Sequence, residues 1–172
     1  MSDTATLVPL DNVDPVLIEA LLDRAFEPTR HTRTAYQLRD GLDPLPALSF
    51  AAIDGSDHVV GSVQCWPLAL TDHAGRCHPL IMIGPVAVLP EAQGLGFGKA
   101  LMTAAISALS PEAPLPQVMI GDPEYYGRFW GFSAEHTAGW QMPGPFNPAR
   151  LLAHADNPAV LPRAGMLGPW RG

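Results

Sequence analysis

The sequence predicts an α+β (α/β) domain built on a mixed, mainly antiparallel central sheet, and three features carry that prediction. Strand-like and helix-like patterns follow in the order strand, two helices, three strands, helix, strand, helix and further strands, a mixture that places helices around a sheet. An apolar strand pattern feeds glycines at 94, 96 and 98 and then a helical pattern. The longest apolar run, Leu80 to Leu89, contains Gly84-Pro85; proline donates no ladder hydrogen bond, so a bulge or a splayed strand is expected there. The length of 172 residues suits one domain, and neither a repeat nor a linker divides it, so a single domain over residues 1–172 is expected.

Element by element, Thr6 to Leu10 reads as a short strand. Asp14-Pro15 reads as an N-cap and first helical residue, because proline's missing N–H costs nothing there. Ile18, Leu21, Leu22 and Ala25 then recur at helical spacing up to about Phe26. Glu27-Pro28-Thr29-Arg30 breaks this helix, and a second short one covers Thr34 to Arg39. Leu48 to Ile53 and His58 to Trp66 read as strands around the hairpin signal Asp54-Gly55-Ser56-Asp57. A loop from Thr71 to Pro79 leads to the strand Leu80 to Leu89. Beyond the glycines, Phe97, Leu101, Ala104, Ala105 and Ala108 share one helical face, stopped at Ser110-Pro111. Pro114 to Pro116 is a turn, Gln117 to Ile120 a buried strand, and Pro123 to Trp130 a short helix ended by Gly131. Ser133 to Thr137 and Gly139 to Met142 are read as strands, and Asn147-Pro148 as the opening of a last short helix through His154. In the Pro- and Gly-rich tail, Leu161, Leu167 and Trp170 suggest packing on the body.

The net charge of −7 argues against a general nucleic-acid binder. Leu80 to Leu89 is too short to span a bilayer, and Met1-Ser2-Asp3-Thr4 lacks the basic and apolar regions of a secretory signal, so a cytoplasmic protein without a membrane segment is expected. Cys65 and Cys77 are too few and too far apart for a metal or redox motif, and no metal is expected. Lys99, the only lysine, directly follows the glycines.

A strand that turns through glycines into a helix N-terminus is an anion site. The backbone approaches closely, N–H groups point at the ligand, and the helix end carries roughly half a positive charge. Three phosphate loops compete for Gln93-Gly94-Leu95-Gly96-Phe97-Gly98. The dinucleotide pattern G-x-G-x-x-G, begun at Gly94, needs a third glycine where Lys99 stands. The P-loop pattern fails at Gln93, which replaces its first glycine, and at Ala100, which replaces the magnesium-binding Ser/Thr; a nucleotide phosphotransferase is disfavoured accordingly. The pattern Q-x-x-G-x-G at Gln93, Gly96 and Gly98 fits without adjustment.

That pattern, behind Val86-Ala87-Val88 and a proline-containing turn, resembles the acyl-CoA loop of the GNAT N-acetyltransferase superfamily. Gly121-Asp122-Pro123-Glu124-Tyr125-Tyr126-Gly127-Arg128-Phe129-Trp130-Gly131-Phe132 resembles the superfamily's segment after its fifth strand, where a tyrosine reaches the cofactor sulfur. Here four residues separate Tyr126 from Gly131-Phe132, one more than the usual three.

The resemblance implies a GNAT-like three-layer fold with a splayed strand pair and flanking helices. It implies acetyl-CoA, or another acyl-CoA, as cosubstrate, held by Val86, Ala87, Val88, Gln93, Gly94, Leu95, Gly96, Phe97, Gly98, Lys99 and Tyr125, with Tyr126 as general acid. A primary amine of a small molecule or peptide would attack the thioester directly. Glu124, His78 and His73 are candidates for the base, beside a water chain. Cys65 lacks a His/Asp partner pattern and is a poor acyl carrier. The superfamily shapes its substrate groove with the first helices, here carrying Arg30, His31, Arg33, Tyr36 and Arg39. These residues can recognise a substrate carboxylate or phosphate, contact a CoA phosphate, or simply form a solvated face. The alternative function is a domain that binds or senses acyl-CoA without turnover. Trp140 and the tail can serve a homodimer, and a monomer is equally open.

Overall fold

The structure is a computed structural model that describes residues 6–26, 30, 33–109 and 114–170. Eight strands form one sheet: β1 (Thr6–Pro9), β2 (Phe50–Ile53), β3 (Val59–Thr71), β4 (Cys77–Val88), β5 (Gln117–Ile120), β6 (Gly139–Gln141), β7 (Leu151–His154) and β8 (Ala164–Pro169). The α-helices among the described residues are α1 (Pro15–Phe26), α2 (Thr34–Leu38), α3 (Phe97–Ser107) and α4 (Pro123–Trp130). Strand order is β1-β2-β3-β4-β5-β7, with β8 beside β3 and β6 beside β8. β1–β2, β2–β3, β3–β8 and β5–β7 are antiparallel, while β4–β5 and β6–β8 are parallel. The expected mixed α+β architecture, mostly antiparallel, is what forms.

The described residues fall into two compact units. In the first (6–26, 30, 44–65 and 83–109), the Asp14 carboxylate accepts the Val16 N–H at 3.0 Å, so the Asp14-Pro15 pair starts α1 as expected. Ile18, Leu21 and Leu22 form the helix's buried stripe. Asp54 closes the β2–β3 hairpin, its carboxylate accepting from the Ser56 and His58 amides at 2.8 and 2.9 Å. α3 packs on β2 and buries Phe97, Leu101, Met102 and Ala105. β4 runs as one strand through a cis Gly84–Pro85 bond.

The second unit (33–43, 66–82 and 114–170) has its own core. Trp66, Leu68 and Leu70 alternate along β3, and join Leu80, Met82, Val118, Trp140, Leu151 and Leu167. The parallel β4–β5 ladder consists of two residue pairs, Ile81↔Gln117 and Met82↔Val118. The Trp140 indole N–H donates to the Pro162 carbonyl at 2.8 Å, tying β6 to the tail.

Several expected elements differ. Ser133 to Thr137 is not a strand; Ser133 makes an isolated bridge to Ala153, and the buried Thr137 hydroxyl donates to the Leu151 carbonyl at 2.7 Å. Asn147-Pro148 does cap a turn, with the Asn147 carboxamide accepting from Ala149 N at 3.0 Å, but only a single 3-10 turn, Pro148–Arg150. Leu151 to His154 then becomes a strand, because pairing along Gln117–Ile120 of β5 captures it. The tail forms β8, and β3 and β4 extend to Thr71 and from Cys77, shortening the expected loop to a turn at Asp72–Arg76. The stops expected at Glu27–Thr29 and at Ser110-Pro111 lie outside the described residues.

Candidate active site

The glycine loop is built from both ends. Leu89 and Ala92 are buried and fix a 3-10 turn at Pro90–Ala92. The Gln93 side-chain amide reaches back toward the Val88 carbonyl at 3.4 Å, a weak bond that folds the loop onto the end of β4. Gly94 and Gly96 then take φ of 84° and 87°, conformations that cost a side-chain-bearing residue about 1–2 kcal/mol. A Cβ on either would meet no atom within 4 Å, so their surroundings are open. Phe97 is buried and anchors the first residue of α3, while Leu95 and Lys99 are exposed. Gly98 lies beside Val88, whose Cγ2 would be 3.8 Å from an added Cβ.

No side-chain hydrogen bond caps this helix end. Gly96 is the N-cap residue, no side chain caps it, and no acidic residue stands in the first turn. An α-helix leaves its first amides without intrahelical partners, and nearby side chains usually satisfy them. Here open space lies over Gly94 and Gly96 at the helix end, and the helix dipole there suits an anion. Glu91, in the turn ahead of the loop, is paired with Arg24 of α1 at 2.7 Å. The bond from its own backbone N–H and that arginine hold the Glu91 carboxyl below its usual pKa.

The tyrosine segment belongs to the second unit. Asp122 caps α4 by accepting the Glu124 amide at 3.0 Å, and Gly131, at φ 77°, ends the helix. The Gly131 N–H donates to the Gly127 carbonyl at 3.0 Å and the Phe132 N–H to the Tyr126 carbonyl at 3.3 Å. Together the two bonds close the helix end around the left-handed glycine. Tyr125 sits among three rings, with centroids 4.9 Å from Tyr126, 5.3 Å from Phe129 and 5.7 Å from Trp130. Burial raises the pKa of the half-buried Tyr126 above 10.0; Tyr125 adds to the shift, Arg150 opposes it, and Asp122 adds again. The phenol is held protonated.

The expected substrate residues separate. Arg30 is fully buried and bonded to Glu19 at 2.8 Å and to Asp23, so its fork is engaged with α1. Arg33 is exposed ahead of α2. The Arg39 guanidinium is buried 3.7 Å from the Tyr36 ring centroid and 4.5 Å from that of Trp66. His31 lies outside the described residues. Of the candidate bases, Glu124 and His73 are exposed. The His78 imidazole Nε2–H donates to the Asp72 carboxylate at 2.9 Å. His78, followed by the Arg76 amide, holds the Asp72 carboxyl far below its usual range. Burial pushes the Cys65 thiol up to about 12, which removes it as a nucleophile. Among the described residues no group of three or more His, Cys, Asp or Glu could hold a metal, and no helix is long and apolar enough to cross a membrane.

Residues 16–113 match the acetyltransferase (GNAT) family. The chain belongs to this family. The match covers more than half of the chain, includes the glycine loop, and ends ahead of α4, so the GNAT assignment stands independently of Tyr126. No curated protein sequence matches the GNAT chain. Among solved structures, the GNAT family N-acetyltransferase YhbS from Escherichia coli in complex with CoA shares its fold with a TM-score of 0.77, at 23% identity, over 99% of this chain and 92% of that one. A GNAT family acetyltransferase from Brucella melitensis in complex with acetyl-CoA gives a TM-score of 0.65 at 22% identity over 99% and 98% of the two chains. Arabidopsis thaliana Naa50, in complex with the bisubstrate analogue CoA-Ac-MVNAL, gives 0.51 at 17% identity over 87% and 95%. The shared architecture is the mixed α+β GNAT fold.

Proposed function

We propose that this GNAT protein is an N-acyltransferase that moves an acetyl group from acetyl-CoA to a primary amine of a small molecule or peptide by direct attack. One observation carries the reading: α3 opens at the left-handed Gly96 with open space over the glycines and no side-chain cap. Two linked phosphates would satisfy those amides and the helix dipole. In this reading Gln93 shapes the loop, and Gly94, Leu95, Gly96, Phe97, Gly98 and Lys99 bind the pyrophosphate. The backbone of Val86, Ala87 and Val88 holds the pantetheine arm, and Tyr125 lines its far end. The short β4–β5 ladder, which ends at Met82 two residues before Gly84, supports giving the β5-facing edge of the later part of β4 to a ligand.

The amine nitrogen forms a bond to the thioester carbon as the C–S bond breaks. Tyr126 donates its proton to the departing thiolate, and a raised phenol pKa keeps that proton available at neutral pH. Preorganised donors to the carbonyl oxygen are worth roughly 3–4 kcal/mol each. On the substrate side, Arg33 and Tyr36 are the residues assigned to recognition, and Arg30, buried against Glu19 and Asp23, is withdrawn from it. Naa50's ligand joins CoA to a peptide, so peptide amines belong in the substrate panel beside small amines.

The test is CoA-thiol release across a panel of amines, with wild type and Tyr126→Phe side by side. A general acid predicts a fall in turnover of about 10²-fold or more with acetyl-CoA binding kept. Equal turnover would remove Tyr126 from the role. Tight acetyl-CoA binding without thiol release from any amine would favour an acyl-CoA sensor.

A further inference from the structure

α2 is five residues long, well below the ~12–15 residues at which an isolated helix begins to hold its shape in water. Its direction is therefore set by what it packs against. Contacts within the second unit fasten it to the segment between β6 and β7. The Thr34 hydroxyl donates to the Pro145 carbonyl at 2.5 Å, across 111 positions of chain. A Cβ on Gly144 would come within 2.7 Å of the same hydroxyl oxygen, so the segment lies directly against the threonine. Leu38 and Met142 are buried in one core, with Ala35 and Phe146 packed against it.

Thr34 is buried, and its hydroxyl serves this long-range bond rather than the backbone of its own helix, the partner that threonine hydroxyls near helix starts commonly take. The Tyr36 N–H donates to the Arg33 carbonyl at 3.0 Å. The two residues assigned to the substrate thus belong to one turn, with Thr34 between them. Arg33 is exposed at the start of that turn.

We propose that Thr34 is a positioning residue for an anionic acceptor: its bond to Pro145 fixes the turn from which Arg33 reaches the anion. The inference rests on the acyltransferase reading and on the assignment of Arg33 to the substrate. A guanidinium favours an amine that also carries a carboxylate or a phosphate. Holding its backbone in one orientation removes part of the ordering cost of that contact. Thr34 is buried and acts through its neighbour.

The experiment measures thiol release from acetyl-CoA with a free amino acid, its carboxamide and an aminoalkyl phosphate. Wild type, Thr34→Val, Thr34→Ser and Gly144→Ala are compared, each with and without Arg33→Gln. Wild type should prefer an anionic amine to the carboxamide, and the better of the two anions names its source. Thr34→Val keeps the shape and removes the donor. KM for the preferred anionic amine should rise about three- to tenfold, the worth of one hydrogen bond, with kcat and acetyl-CoA affinity within about twofold. Gly144→Ala, which pushes the hydroxyl off its acceptor, should act in the same direction, and Thr34→Ser should restore the wild-type value. In Arg33→Gln the preference for the anion should be lost, and Thr34→Val should lower it no further. An unchanged amine KM in both Thr34→Val and Gly144→Ala, or an equal rise for anionic and neutral amines, overturns the role of Thr34. A wild type indifferent to the anion, or a preference that survives Arg33→Gln, would instead overturn the assignment of Arg33. Thiol release with no amine at all would overturn the acyltransferase reading itself.

Discussion

The helical ladder of α3 opens where the Ala100 N–H meets the Gly96 carbonyl at 3.0 Å. Residues 97 to 99 thus sit in the first turn of a helix whose N-cap has no side chain. Many helices begin with Ser, Thr, Asp or Asn at this place, and each would occupy the amides that an anionic ligand needs. Glycine brings no side chain to occupy them, at the cost of a cap, typically ~1 kcal/mol of helix stability. The trade is intelligible when a ligand supplies the cap.

Gly121→Ala tests the seat of the phenol. An added Cβ cannot coexist with the Tyr126 ring at 2.6 Å, and the ring edge belongs to a side chain wedged within α4's aromatic cluster. Off-rotamer displacement of this kind costs about 1–3 kcal/mol in packed surroundings. Turnover should fall by at least about tenfold, because misplacing a catalytic group by roughly 1 Å is enough for a loss of that order or more. Acetyl-CoA affinity, measured by calorimetry, should change little. Unchanged kcat in Gly121→Ala would detach the position of Tyr126 from catalysis.

Arg30→Ala distinguishes a structural from a recognition role. The guanidinium is fully buried against Glu19 and Asp23, whose own side chains are about half exposed. Removing one partner of a buried pair costs ~3–5 kcal/mol, and the partial exposure of the carboxylates places this case at about 2–3. Chemical denaturation should show that loss, while KM for the amine should be unaltered in the folded fraction. A stable variant with a raised amine KM would return Arg30 to the substrate.

Cys65 and Cys77 should behave oppositely toward an alkylating reagent. Cys77 is exposed, whereas Cys65 is buried with its thiol raised from 9.0 to about 12. Native protein at mildly alkaline pH should label at Cys77 alone. The linkage has a definite sign: the thiol's folded pKa lies above its unfolded value, so the folded state retains a proton that the unfolded state loses. Stability from this group is full below pH 9 and declines as pH rises from 9 toward 12. Cys65→Ala, followed by denaturation across that range, should flatten the decline. Rapid labelling of Cys65 in the native protein would contradict its burial.

The parts of the fold legible in the sequence are those with local punctuation. Asp122-Pro123 and Gly131 bracket α4 because a cap, a first-turn proline and a left-handed glycine act on their immediate neighbours. The same holds for Asp14-Pro15 and for the glycines ahead of α3. Asn147-Pro148 carries the same local signal, and it does cap a turn, but Leu151 to His154 belong to β5's edge and follow the ladder instead. Long-range pairing outweighs propensity there. In the site, the uncapped loop follows from its glycines alone. Arg30 looked like a groove residue, since its partners lie 7 and 11 positions earlier on α1. The link from Thr34 to Pro145 is a tertiary contact with no sequence signature.

The central claim, that the amides at the start of α3 cradle the phosphates of an acyl-CoA, is tested most directly by calorimetric titration of acetyl-CoA into wild type, Gly96→Asn and Gly96→Asp. Both side chains tolerate left-handed backbone better than most and have open space at 96, so the pair isolates charge. The account predicts saturable binding to wild type and affinity at least about tenfold weaker for Gly96→Asp than for Gly96→Asn, as a carboxylate about 4 Å from phosphate costs ~1–4 kcal/mol in partly solvated surroundings. ATP and NAD should not bind comparably. Equal affinities in the two variants, or a wild type that takes up ATP or NAD in preference to acetyl-CoA, would contradict it.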